Sequence, residues 1–337
     1  MLERHLDLLA CPVCGADLLL KESTVRSEDR VESGMLGCSR CAETFPIVDH
    51  VPRFVPAENY ARNFGYQWLQ YAETQYDSWL GLDWGERRFR VTTGWPQDLS
   101  GEHVLEAGCG AGRFTEVALA SGGTLVSFDF SSSVDVNQRR NGANPRLLVV
   151  QGDVFRPPVK AGRFDRVFCM GVLQHTPDPE AAFRALLPFV APGGAIAVDV
   201  YLKKGPWRWL TSYRRYRWFT RYLRVETVHA VSTAYVDALF PLAKRLWRSG
   251  KVGRWIARYV LLMKDRFGRK GIEVTEKIQK DWLVLHLIDQ LSAYHDKPQS
   301  IPEVRRWLEE TSLEEIEVFH GGNGVIARGR MPARGLQ

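Results

Sequence analysis

The sequence predicts an α/β protein of the doubly wound kind, with a separate small module ahead of it. Three observations predict this. His103-Val104-Leu105-Glu106-Ala107 is a short apolar run that breaks at Gly108-Cys109-Gly110-Ala111-Gly112 into a helix-forming stretch from about Arg113 to Ser121. Four more apolar runs follow, at Thr124 to Asp129, Leu147 to Val154, Phe164 to Gly171 and Ala191 to Val200. Apolar runs of this kind in series fit the strands of a doubly wound sheet. Two cysteine pairs, Cys11-Pro-Val-Cys14 and Cys38-Ser-Arg-Cys41, stand before all of it.

The turn at Gly108 comes first in the argument. Three glycines at alternate positions permit a sharp bend and let a ligand lie against the main chain. The helix behind them aims its N-terminal amides at that ligand. The dinucleotide fingerprint G-x-G-x-x-G/A is one reading, but Arg113 stands where its third small residue belongs. The run Glu106-Ala-Gly-Cys-Gly-Ala-Gly112 is similar to motif I of the class I S-adenosylmethionine-dependent methyltransferases, and that is the other reading.

The later strands favour the second. Asp129 ends the second strand 21 residues after Gly108, where a carboxylate can accept from both ribose hydroxyls; either cofactor has that ribose. Asp153 ends the third. Gly171-Val-Leu-Gln-His-Thr-Pro-Asp178 resembles the family's motif after strand four, and Ala191-Pro-Gly-Gly194 its turn before strand five. Five motifs in order over about a hundred residues identify the chain as a member of this family. The resemblance implies a Rossmann-like seven-stranded doubly wound sheet. It also implies S-adenosyl-L-methionine as cofactor, held by Glu106, Gly108, Gly110, Gly112, Asp129, Phe130, Asp153, Val154, Gly171 and Val172. Cys109 and Cys169 read as small apolar residues.

Two residues between cysteines let both thiolates reach one ion, and four thiolates close a tetrahedron suited to Zn2+ with no open position. Cys11, Cys14, Cys38 and Cys41 are therefore expected to hold a structural zinc. The stretch from Cys41 to Phe54 resembles small zinc-ribbon proteins related to a methyltransferase-activating subunit, and a similar ribbon precedes the catalytic domain of bacterial ribosomal RNA guanine methyltransferases. The ribbon is assigned to 1–56, with folding staple and docking module both open as its role.

The core's first part is assigned to 57–201. It opens on Tyr60-Ala-Arg-Asn-Phe-Gly-Tyr-Gln-Trp68, which resembles an "F-G-x-Q-W" segment ahead of motif I in methyltransferases of glycan and secondary-metabolite pathways. Its aromatic residues are expected either to pack on the sheet or to form a lid, with Tyr66 or Trp68 against the cofactor.

A basic-aromatic insertion after strand five is assigned to 202–294. Lys203 to Lys270 carries eighteen Lys and Arg against three acids, leaving the remainder of a +6 chain net acidic. Helices are expected at 207–225, 231–247, 252–267 and 275–291, capping the acceptor site. Arg interleaved with Trp and Tyr, as in Trp207-Arg-Trp209 and Arg214-Arg-Tyr-Arg-Trp-Phe219, suits phosphates and stacked rings, or an anionic membrane surface. The plain alternative is Arg stems covering apolar surface on a solvated helix. The core closes over 295–330, with a helix at Ile301 to Glu310 and strands at Leu313 to Phe319 and Gly324 to Arg328.

Methyl transfer needs collinear donor and acceptor, and a base only when the acceptor must lose a proton. His175, just after strand four, is the first base candidate; Tyr201 and His295 follow, with Tyr294 behind them. Asp199 is expected either to face the pocket or to pair with a buried arginine. The function expected is methylation of a small or carrier-linked metabolite. The alternatives are an RNA methyltransferase or a non-catalytic cofactor-binding scaffold. Residues 203–270 are the expected contact for a membrane surface or RNA. The N-terminus lacks an apolar signal core, apolar runs fall short of the ~18–20 residues of a span, and paired cysteines suit a reducing compartment. A cytoplasmic protein, membrane-peripheral at most, is expected.

Overall fold

The computed structural model describes residues 1–27, 29–56, 59–203, 205, 213–268 and 271–333. Two compact units divide it: 1–65, 76–203 and 295–337 form one, and 66–75 with 204–294 the other.

The first unit begins with the short 3-10 helix Glu3–Leu8 and a four-stranded antiparallel sheet of β1 (Leu18–Ser27), β2 (Arg30–Cys38), β3 (Thr44–Val48) and β4 (Val51–Pro52). Its main sheet has seven strands: β5 (His103–Ala107), β6 (Thr124–Asp129), β7 (Leu147–Gln151), β8 (Phe164–Met170), β9 (Val190–Val200), β10 (Glu314–His320) and β11 (Val325–Arg330). Their order is β10-β11-β9-β8-β5-β6-β7. β11 runs antiparallel to both neighbours, and the strands from β9 to β7 are parallel. Leu105 pairs with Val126 on one side and Val167 on the other. Strands covered on both faces read as continuous apolar runs, and β7, buried along its whole length, shows it.

Helices flank this sheet: α1 (Arg62–Tyr71), of which residues 62–65 belong to this unit, α2 (Asp77–Leu80), α3 (Trp84–Thr93), α4 (Arg113–Ala120), α5 (Val134–Asn141) and α6 (Pro179–Leu186). Asp178 accepts from the Ala181 amide 3.0 Å away and caps α6. The ribbon shares one core with the sheet: Leu8, Leu9, Leu36 and Ile47 lie in the same cluster as Val126, Leu148, Val150 and Val159. Phe54 N donates to Gln151 O at 2.9 Å, and Arg53 pairs with Gln151 in parallel, so the chain leaving the ribbon runs along β7, the end strand.

The second unit is helical: α7 (Arg214–Thr220), α8 (Val225–Arg248), α9 (Gly250–Tyr259) and α10 (Glu276–Ser292). α8 starts six residues before the expected helix, because Val225 and Val228 extend the buried stripe of Ser232, Val236, Phe240 and Ala243. α9 stops at Tyr259 and not at Phe267, and Leu262, at φ 54°, leaves helical backbone. Trp207 and Trp209, expected to open the insertion's first helix, lie outside the described residues. In the first unit, α11 (Ile301–Glu309) closes the core behind a full capping box, Ser300 with Glu303. Among the described residues no helix is long and apolar enough to cross a membrane.

Candidate active site and metal centre

The glycine turn folds as the sequence requires. Gly108 has φ 81° and Gly112 φ 95°, conformations L side chains rarely adopt. A Cβ at Gly108 would overlap Val172, and one at Gly112 would overlap Asn137, so the turn is closed from both sides. The Gly110 amide donates to Asp129 Oδ2 at 2.9 Å, tying the turn to the end of β6.

Asp129 is already engaged. Its Oδ1 accepts from Ser131 N at 2.8 Å and Ser131 Oγ at 2.7 Å. A carboxylate offers about four lone-pair sites. Three are used, which leaves room for one ribose hydroxyl, or for two if Ser131 swings toward Ser133, 2.7 Å away. Burial pushes the Asp129 carboxyl above its usual range, against the donors that hold it down. Asp153 accepts from Phe155 N at 3.0 Å, its neighbour Val154 is buried, and Gly171, at φ 76°, turns the chain after β8.

Glu106 carries the strongest electrostatic signal. It is fully buried, and its Oε2 accepts from Thr115 at 2.5 Å and Ser127 at 2.6 Å. Among the described residues its Oε1 has no partner. Burial raises its pKa to about 7. An unpartnered carboxylate oxygen beneath a glycine turn fits a ligand that brings an ammonium.

Rings gather at the carboxyl ends of the strands. Tyr60 lies 4.9 Å from Phe130 and 5.3 Å from His295; His175 lies 4.9 Å from Phe64 and 5.4 Å from Tyr201. His175 Nδ1 is 3.0 Å from the His295 carbonyl. A carbonyl oxygen only accepts, so Nδ1 carries the hydrogen and Nε2 is the basic nitrogen of the neutral ring. The three candidate bases and Phe130 thus fall in one cluster, whereas Tyr294 lies in the second unit. Burial, then the charges of Asp153 and Asp129, push the Tyr60 hydroxyl far above its ordinary pKa.

Sequence reasoning missed Tyr60 and Phe64, and named Tyr66 or Trp68 for the lid it held open beside packing on the sheet. Tyr66 belongs to the second unit, its hydroxyl 2.7 Å from His229 Nδ1 while Tyr71 reaches Nε2 at 2.6 Å. Trp68 is half-buried in that unit. Also missed was Gln174, fully buried, with neither side-chain polar atom partnered among the described residues. Of the two expectations for Asp199, the buried pair holds: Arg88 grips it through Nε at 2.9 Å and Nη2 at 2.7 Å. That guanidinium stands over the Phe114 ring and within 3.1 Å of where a Gly171 Cβ would lie.

In the ribbon the four sulfurs lie within 4.8 Å of one another. Cys14 is 3.4 Å from Cys38 and 3.6 Å from Cys41, and Cys11 is 3.7 Å from Cys41. Zn–S bonds of about 2.3 Å at tetrahedral angles put sulfurs about 3.8 Å apart, so the cluster fits zinc. The amides of Arg40 and Cys41 point at Cys38 Sγ from 3.3 Å. The Ala16 amide, the largest influence on Cys14, helps pull its pKa down to about 6, toward the thiolate a metal needs.

The comparisons agree with this geometry. Residues 105–198 match the family described as "Methyltransferase domain", and residues 3–49 match "Trm112p-like protein". The chain carries an S-adenosylmethionine-dependent methyltransferase domain behind a Trm112-like, zinc-ribbon module. Among curated relatives, the "Ubiquinone biosynthesis O-methyltransferase" of Pseudomonas fluorescens (strain Pf0-1) is 25% identical over 204 residues, 58% of this chain and 80% of that one. The same-named protein of Coxiella burnetii (strain RSA 493) is 32% identical over 101 residues, 29% of this chain and 43% of its own. A putative S-adenosyl-L-methionine-dependent methyltransferase of Methanococcus maripaludis aligns with TM-score 0.43 and 14% identity, over 84% of this chain and 98% of that one. A complex of the Haloferax volcanii Trm112 methyltransferase activator with a putative methyltransferase gives TM-score 0.44 and 12% identity, over 80% and 97%.

S-adenosylmethionine fits the residues present. Glu106 Oε1 would receive its ammonium and the remaining capacity of Asp129 a ribose hydroxyl.

Proposed function

We propose that the acceptor is a hydroxyl of a small, flat molecule, free or carrier-linked, and that His175 takes its proton. The observation that carries this is the fixed tautomer of His175 inside a wall of rings. When bound, S-adenosylmethionine supplies a methyl carbon made electrophilic by positive sulfur. His175 Nε2 accepts the hydroxyl proton as the oxygen–carbon bond forms, and the His295 carbonyl, which accepts from Nδ1–H, stabilises the resulting imidazolium. Phe64, Tyr201 and Tyr60 orient a flat acceptor and exclude water. Gln174 offers a buried amide with both donor and acceptor unspent. The names of the curated relatives, O-methyltransferases of ubiquinone biosynthesis, support the choice of oxygen as the atom.

The test is turnover of a panel of phenols and catechols by zinc-loaded protein, read as S-adenosylhomocysteine. One class is expected to react, and His175→Asn to lower kcat by about 10²–10⁴ with little change in cofactor affinity. Turnover unchanged in that variant would overturn the assignment of the base.

The second unit supports a membrane-surface acceptor. α7 and the residues after it expose Trp218 at 69% and Tyr222 at 65%, with Tyr216, Phe219 and Leu223 also exposed. Exposed Arg221 and Arg224 lie among them. Aromatic rings with arginines suit the headgroup layer of an anionic bilayer. Part of the pattern is spent internally: buried Arg217 donates to the Ala293 carbonyl, and Arg221 stacks 4.7 Å from Tyr222. Sedimentation with phosphatidylglycerol vesicles, and not with phosphatidylcholine, is expected; Trp218→Ser with Tyr222→Ser should release the protein. Steeply salt-dependent RNA binding without vesicle binding would move the proposal to an RNA acceptor.

A further inference from the structure

The parallel sheet has a second end. His103 opens β5 and Thr124 opens β6, Arg146 precedes β7, and Arg163 comes just before β8. β8, β5, β6 and β7 are neighbours in that order, so these four amino ends stand side by side. The ribbon's first helix lies over them. Between helix and strand ends is a cavity of about 260 Å³, lined by Arg4, His5, Asp7, His103, Arg146 and Arg163 among others.

Three arginines meet there with one acid. Asp7 is neutralised by Arg163 at 3.1 Å and Lys160 at 3.2 Å. Arg4 spends one N–H on the Pro145 carbonyl at 3.0 Å, and Arg146 one on the Leu119 carbonyl at 3.2 Å. A guanidinium has five donors. Among the described residues neither Arg4 nor Arg146 has a carboxylate partner, so positive charge is left over at this end.

His5 is the second observation. It is only 4% exposed. Its Nε2 faces the Pro145 carbonyl at 3.2 Å, and its Nδ1 is buried with no partner among the described residues. Burial, and then Arg4, hold its pKa down near 4, so the ring stays neutral amid cations. Buried polar atoms are nearly always paired. The Pro145 carbonyl takes the Nε2 hydrogen, so the bare Nδ1 can only accept, and the arrangement calls for a compact group that carries both negative charge and one O–H.

We propose that this cavity is a binding site for a small phosphate-type oxyanion, inorganic phosphate or the phosphoryl group of a small phosphomonoester. Arg4, Arg146 and Arg163 supply forked donors matched to phosphate oxygens, and His5 Nδ1 accepts from the one O–H that hydrogenphosphate or a singly protonated phosphomonoester keeps. The volume admits a phosphoryl group with a small substituent. Because Arg4 and His5 come from the ribbon while Arg146 and Arg163 come from the methyltransferase domain, the anion clamps the one onto the other. The site is independent of the methyl acceptor and lies at the opposite end of the strands from the glycine turn.

The experiment is calorimetric titration and thermal unfolding of the full-length, zinc-loaded protein with inorganic phosphate and with glycerol 3-phosphate, at constant ionic strength against chloride. Saturable binding and a raised Tm are expected with one or both, and the tighter of the two names the source. Arg146→Ala, at an exposed position that should not disturb folding, is expected to weaken binding about tenfold and leave S-adenosylmethionine affinity unchanged; His5→Gln is expected to weaken it further. The same Tm change with chloride, or an unaltered affinity in Arg146→Ala, would overturn the proposal.

Discussion

The two ends of one parallel sheet carry opposite chemistry. At the carboxyl ends stand Glu106, Asp129 and Asp153 with a wall of rings. At the amino ends stand Arg4, Arg146 and Arg163 around a neutral histidine. The carboxyl end is built by backbone: a turn only glycine can make, with side chains hung from strand ends a few residues away. The amino end is built by assembly, since its residues come from the ribbon and from loops more than a hundred positions apart. A cofactor rich in hydroxyls and one ammonium needs acceptors, and an oxyanion needs donors. Parallel strands present the two needs on opposite edges, and no residue serves both.

That contrast can be broken experimentally. Zinc removal should have the largest effect. The ribbon's core is continuous with the sheet, so chelation is expected to lower Tm by about 10 °C or more, as several kcal/mol of metal-linked folding are lost. It should abolish any phosphate response while S-adenosylmethionine still binds the residual folded fraction. Scanning calorimetry with and without chelator reads it; a phosphate response that survives in zinc-free protein would show that the amino end does not need the ribbon.

Gly108→Ala comes next and strikes the other end. A left-handed backbone position and overlap with Val172 together should cost a few kcal/mol, seen as at least a ~100-fold loss of S-adenosylmethionine affinity with phosphate binding intact. Equal losses at both ends would mean global damage and not a local cradle.

Glu106→Gln tests the buried acid. The folded-state pKa is raised from 4.5 to about 7. A raised carboxyl binds more protons folded than unfolded, so ligand-free stability should fall as pH rises from about 4.5 to about 7. The glutamine variant should lack that fall and be more stable than the parent by up to roughly 3 kcal/mol above pH 7. Matching urea curves at pH 5 and pH 8 for both proteins would refute it. Arg146→Ala should have the smallest effect on stability, under about 0.5 kcal/mol in urea unfolding, as usual for an exposed side chain.

The carboxyl end was largely legible in the sequence, and the reason is spacing. Gly108, Gly110 and Gly112 lie within five residues, and β6 and β7 announce their ends by the acids Asp129 and Asp153 after an apolar run. The four cysteines were legible for the same reason. Legibility failed where a partner has no side-chain signature. The His295 carbonyl that orients His175 could have come from any residue. The aromatic segment was ambiguous by phase: Tyr60, Phe64, Tyr66 and Trp68 all lie in one short stretch, and sequence alone does not say which rings turn toward the strand ends. Arg88 carried no motif, and only Asp199, an acid inside an apolar strand, hinted that a cation must exist. The amino-end cavity was invisible, because Arg4, Arg146 and Arg163 become neighbours only once strand order is known.

The segment that leaves the ribbon has a consequence of another kind. β7 ends the seven-stranded sheet, and a terminal strand presents unpaired amides and carbonyls to whatever strand comes along. Here Phe54 donates to Gln151 and Arg53 lies beside it, so the chain dresses its own raw margin. A version trimmed of its first 56 residues would still contain the glycine turn and the ring cluster. It would also offer a bare, wholly apolar selvedge of Leu147, Leu148, Val149 and Val150, and should be lost to self-association before its chemistry could be measured.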